Sequence, residues 1–120
     1  MASGTIRPEW VTPNNPTINL TNIESENTDI KVRSLNGLIC FQGTLRIKQN
    51  VAVNGVLATD CPLPALASAW IFMMGATTGH VYRTRVVGGS VGSSRNWIAG
   101  ETLTKATDEY YYVDGVYTTV

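Results

Sequence analysis

The residues able to do chemistry are few, and their spacing argues against a reaction. Gly88-Gly89-Ser90-Val91-Gly92 matches the nucleophile-elbow pattern G-x-S-x-G. That pattern presents an activated serine only on a sharp strand-to-helix turn, with an acid and a histidine further along the chain. Here no helical pattern follows Ser90, and the one histidine, His80, comes before it. In a Gly/Ser-rich stretch that runs on to Ser94 such a match arises readily. A lone His80 does not make a metal site, and neither Cys40 nor Cys61 has a C-x-x-C partner. Asp108 and Glu109 are adjacent, so on a strand they face opposite ways and do not act as a pair. The glycine stretch also lacks the Lys-Ser/Thr and helix of a phosphate-binding loop. The expectation is a non-enzyme with no catalytic residue, no metal and no cofactor.

Charge narrows the partners. Nine basic and nine acidic residues give a net charge of zero. A nucleic-acid binder neutralises phosphates with a basic patch, and no such clustering is present. The densest basic pairs are Lys31/Arg33, Arg46/Lys48 and Arg83/Arg85. Each is spaced i, i+2, which on a strand puts two charges on one solvated face. The longest apolar run, Ala65 to Gly75, is broken by Ser68 and falls short of the roughly 18 residues that span a bilayer. No nucleic acid and no membrane insertion are expected. Met1-Ala2-Ser3-Gly4 leads into Arg7-Pro8-Glu9 with no apolar stretch of the signal-peptide kind. The expectation is synthesis in the cytoplasm, or a targeting segment already removed. Two cysteines do not make a disulfide framework, so free thiols are expected over a Cys40–Cys61 bridge, with Cys40 half-buried.

The elements that must position any site are short strands. Residues 1–16 hold three of the five prolines, Pro8, Pro13 and Pro16, and read as an extended linker in which Trp10 is a packing anchor. A single domain is expected over 17–120. Thr17 to Thr21 alternates with Ile18 and Leu20 on one side, and Asp29 to Leu35 sets Ile30 and Val32 against Lys31 and Arg33. Asn36-Gly37 follows, the turn signal of a two-residue hairpin, because a type I′ turn needs φ > 0 at both central positions. The returning run, Leu38 to Lys48, places Ile39, Phe41, Leu45 and Ile47 on one face. Gly43 interrupts that row, marking a bulge or a close backbone approach.

Asn54-Gly55 predicts a second short hairpin or a connection. Cys61-Pro62-Leu63-Pro64 excludes a central strand and predicts a crossover between sheets, with at most one helical turn over Ala65 to Ala69. Trp70 to Met74 is apolar at every position, as in a strand buried on both sides or placed at a subunit interface. His80 to Val87 alternates, and Arg95 to Ala99 opens another strand. Asp114-Gly115 predicts a terminal hairpin between Glu109–Val113 and Val116–Val120. About eight short strands and no capped helix predict an all-β fold: a small antiparallel β-sandwich or β-barrel, Greek-key-like. The tyrosines Tyr110 to Tyr112 must send at least one ring outward, since strand side chains alternate.

From Val32 to Leu45 the rhythm of a polar strand, Asn36-Gly37, and an apolar strand with a central glycine resembles the head domains of bacteriophage receptor-binding (tail-tip, baseplate) proteins. The likeness extends through Cys61-Pro62-Leu63-Pro64 to the closing Val116-Tyr117-Thr118-Thr119, about residues 29–120. It implies a non-catalytic homotrimer of β-domains on the virion tail tip. Such a head is made in the host cytoplasm, contacts other phage tail proteins and binds host cell-surface polysaccharide. The shoulder and coiled-coil neck of larger family members have no counterpart before residue 17. On that reading Trp70, Phe72 and Met74 would supply the oligomer interface. The saccharide site would be Arg95, Asn96 and Trp97, joined by His80, Tyr82 and Arg83 from a neighbouring strand. The alternative is a structural virion or baseplate module acting only through protein–protein contacts.

Overall fold

The computed structural model describes residues 15–26, 28–89, 94–106 and 109–119. Residues 1–14 of the predicted linker 1–16, Trp10 among them, and Ser90 to Ser93 lie outside the described residues. Eight strands are found among those described, and no helix: β1 Thr17–Ile18, β2 Asp29–Leu35, β3 Leu38–Leu45, β4 Val56–Thr59, β5 Ser68–Gly75, β6 Val81–Val87, β7 Trp97–Ala99 and β8 Tyr111–Thr118. They form one antiparallel sheet in the order β1-β4-β7-β6-β5-β8-β3-β2. The sheet curls around its own core, as in a small β-barrel left open between β1 and β2.

The hairpin at Asn36-Gly37 forms as the turn chemistry requires. Asn36 and Gly37 have φ of 48° and 83°, and β2 pairs with β3 from Leu35↔Leu38 to Asp29↔Thr44. Gly43 is a close approach: a Cβ there would fall on the carbonyl oxygen of Asp29. Period-two alternation carries through to burial. Val32, Phe41, Leu45, Ile71, Met73, Val86 and Trp97 face inward, and Trp97 and Phe41 meet with ring centroids 5.1 Å apart. The one buried hydroxyl at this centre is satisfied twice. Thr84 Oγ1 donates to the Ile71 carbonyl and accepts from Trp97 Nε1, both at 2.6 Å. An unmet polar group here would cost about 1–3 kcal/mol.

Four local expectations differ from what the chain does. Asp114-Gly115 does not turn. Neither residue has positive φ, and β8 runs unbroken from Tyr111 to Thr118 between β3 and β5. Ladder pairing on both edges holds the segment extended. Gly115 is small because a Cβ would press on the Ile71 side chain. The 65–67 segment is a set of bends with no helical turn, and Leu20 is exposed beyond the two-residue β1. Asn54-Gly55 makes a connection, with Gly55 N bonded to Ala52 O, and delivers the chain to β4 beside β7. The proline segment does not pass between two sheets: it crosses from β4 past β7 and β6 to β5 within the one sheet. Tyr117 Oη and Thr119 Oγ1 donate to the Pro62 and Leu63 carbonyls and fasten it.

Candidate binding surface

The alternation that fills the core also decides what β5 and β8 show to solvent. Ala69, Ile71 and Met73 point in, so Trp70, Phe72 and Met74 point out, each nearly half exposed although β5 lies mid-sheet. On β8, Tyr111 is buried while Tyr110 and Tyr112 face outward, as the tyrosine run requires. The strand apolar at every position is therefore not covered on both sides within one chain. Its outer side, continued by Val81, Tyr112 and Val116, is the largest cluster of exposed apolar side chains among the described residues.

One end of this outer face carries a groove of about 500 Å³ lined by Thr28, Asp29, Thr44, Ala76, Tyr110 and Tyr112. The register of three strands assembles it. Thr44 pairs with Asp29 on one side and with Tyr112 on the other. Tyr110 is held by Arg46, whose guanidinium carbon lies 5.0 Å from the ring centroid and whose Nε is 3.4 Å from Glu24. The Asp29 carboxylate meets Lys31 only at 3.8 Å, both largely in solvent, so it stays available as an acceptor. Two aromatic rings, a carboxylate and two hydroxyls on one open surface suit a polyhydroxylated ligand, which offers apolar C–H faces and hydroxyl donors.

The six residues expected to form a saccharide site are not brought together. Trp97 is fully buried, with its N–H spent on Thr84, so it offers no platform. Tyr82 lies on the inner side, half-buried with its ring centroid 5.8 Å from that of Tyr111. His80 stacks at 4.4 Å on Tyr82 just before β6, while Arg95 and Asn96 lie beside its other end, where Val87 N donates to Asn96 O. Seven residues of strand at about 3.3 Å each separate those ends by roughly 20 Å. Arg83 is on the outer face, its Nε 3.2 Å from Glu101. Alternation signals Tyr110 and Tyr112 in the sequence. Thr28, Asp29 and Thr44 carry no local signal, because only the β2–β3–β8 register unites them.

The remaining ionisable groups are structural. Glu109 is buried and accepts from Thr78 N, Thr78 Oγ1 and Thr77 N, bonds that hold its carboxyl below the usual glutamate range and tie down the turn after β5. The Arg83 backbone N–H, with the guanidinium beside it, lowers Glu101 in the same way. Both cysteines are free. Cys40 is half-buried on the outer side of β3, whereas burial pushes the Cys61 thiol up to about 12. Among the described residues no group of three His, Cys, Asp or Glu side chains is placed to hold a metal. Comparison of the chain with family models and with curated proteins finds no match.

Proposed function

We propose that the protein is a non-catalytic receptor-binding module of the phage tail-head kind, holding a host-surface saccharide in the Tyr110–Tyr112 groove. The observation that carries this reading is the pair of outward tyrosines beside Asp29 and Thr44. Stacking under a sugar ring uses the tyrosine faces, and the carboxylate and threonine hydroxyls take its hydroxyls. An acidic acceptor at the groove favours a neutral saccharide over a phosphate-bearing polymer. The resemblance in strand rhythm supplies the setting, a virion tail tip.

The test is calorimetric titration with soluble polysaccharide released from bacterial cell walls. Tyr112→Ala and Asp29→Asn should each weaken binding about tenfold or more, equivalent to at least about 1.4 kcal/mol. Arg95→Ala and Asn96→Ala should leave it unchanged. No binding by the wild-type chain, or loss confined to the Arg95 and Asn96 variants, sinks the proposal. The exposed apolar column Trp70, Phe72 and Met74 favours a second role, assembly through protein–protein contacts, developed next.

A further inference from the structure

A monomeric domain seldom exposes a contiguous apolar patch of more than a few hundred Å². The outer face around β5 falls in the range of the largest patch on a typical monomer, about 300–600 Å², the kind of patch that is often functional. At about 100 Å² each for Trp70 and Phe72 and somewhat less for Met74, Val81 and Val116, with Tyr112 left to the groove, it presents roughly 400–500 Å². Two such faces would bury about 800–1,000 Å², and the Arg83 and Asp114 side chains beside them bring the contact to the low end of a specific interface.

In the row through Phe72 one basic and one acidic side chain flank the ring. Across the strands at its level, Phe72 pairs with Arg83 on β6 and with Asp114 on β8; Asp114 pairs with Gln42, and Gln42 with Lys31. Beyond Arg83 stands Glu101, bonded to it. The row therefore reads Glu101, Arg83, Phe72, Asp114, Gln42, Lys31, with Arg83 and Asp114 at equal distance on either side of the phenylalanine. Asp114 has no ion-pair partner among the described residues.

We infer that the outer face docks on a second copy of this chain, the two copies related by a two-fold axis parallel to β5. Rotation about that axis lays β6 of one copy over β8 of the other at the same level. Arg83 then meets the partner's Asp114, twice, while Phe72 meets its own counterpart at the axis. Further out, Glu101 faces the partner's Gln42. A two-fold across the strands would instead set Arg83 on Arg83 and Asp114 on Asp114, and like charges reject it. The contact needs only three strands, β6, β5 and β8, with strands of the two sheets nearly aligned as in face-to-face sheet packing. An isologous pair of this kind is closed, so it hides the patch without opening a route to filaments. It differs from the three-fold arrangement implied by the resemblance. It rests on the outer face alone, whether or not the groove binds a sugar.

Sedimentation equilibrium of the full chain tests it. The wild-type protein should show the mass of two chains. Phe72→Asp should give single chains with an unchanged circular-dichroism spectrum and melting profile, since the side chain is half in solvent. Asp114→Arg alone and Arg83→Asp alone should each weaken pairing about tenfold or more, while an equimolar mixture of those two variants should pair again, because both cross-copy contacts are then opposite in charge. A single-chain mass for the wild type, a three-chain mass, pairs indifferent to Phe72→Asp, or failure of the mixture to pair would overturn the inference.

Discussion

Trp97 on β7 and Trp70 on β5 are the same side chain put to opposite uses. Trp97 is fully buried, packed on Phe41 and hydrogen-bonded to Thr84; Trp70 stands nearly half exposed on the other side of the same sheet. Between them runs the division of labour in this protein. The inner face carries stability and offers no atom to a ligand. The outer face adds little to the fold of one chain and holds the exposed aromatic and charged groups on which the proposed recognition rests. A sheet with one covered face has room for this division, because substitutions outside do not disturb packing inside.

Truncation of the two tryptophans is the strongest way to break that contrast. Trp97→Ala should cost about 3–5 kcal/mol by loss of packing and of the Thr84 partner, a large share of a typical 5–15 kcal/mol total. Trp70→Ala should change stability by no more than about 0.5 kcal/mol. Urea unfolding of both variants at low protein concentration, where pairing does not contribute, makes the comparison. Equal losses would erase the distinction between the faces.

Thiol chemistry sharpens it with a smaller effect. Cys40 lies on the outer side and Cys61 inside, its thiol pushed up to about 12. Only the thiolate reacts, so at pH 8 a maleimide should label Cys40 in the folded protein and reach Cys61 only after unfolding. Peptide mapping by mass spectrometry reads the outcome, and rapid modification of Cys61 in the native state would contradict the burial.

Most of the scaffold was legible because its signals are local. Asn36-Gly37 needs two positive φ values, and no long-range contact was required to foresee the β2–β3 hairpin. Asp114-Gly115 carries a similar signal and misleads, because β8 is clamped between β3 and β5 and its glycine answers to Ile71, a residue 44 positions earlier. Trp97 follows polar Arg95 and Asn96, which suggests a surface strand. Its burial comes from Phe41 and Thr84, neither nearby in sequence. The run Trp70 to Met74 shows that both faces are apolar but not what covers the second. Tyr110 and Tyr112 were half legible through alternation. Their companions Asp29 and Thr44 were not, since a site built across three strands exists only once the register is set.

The most direct test of the central claim, that recognition belongs to the outer face, is a residue-resolved map of ligand contact. Amide chemical shifts of the ¹⁵N-labelled protein would be followed while soluble cell-wall polysaccharide is added. The account predicts perturbations gathered at Thr44, Ala76, Tyr110 and Tyr112, with the Trp97 indole N–H unmoved. Perturbations gathered instead at His80, Arg95 and Asn96 would contradict it.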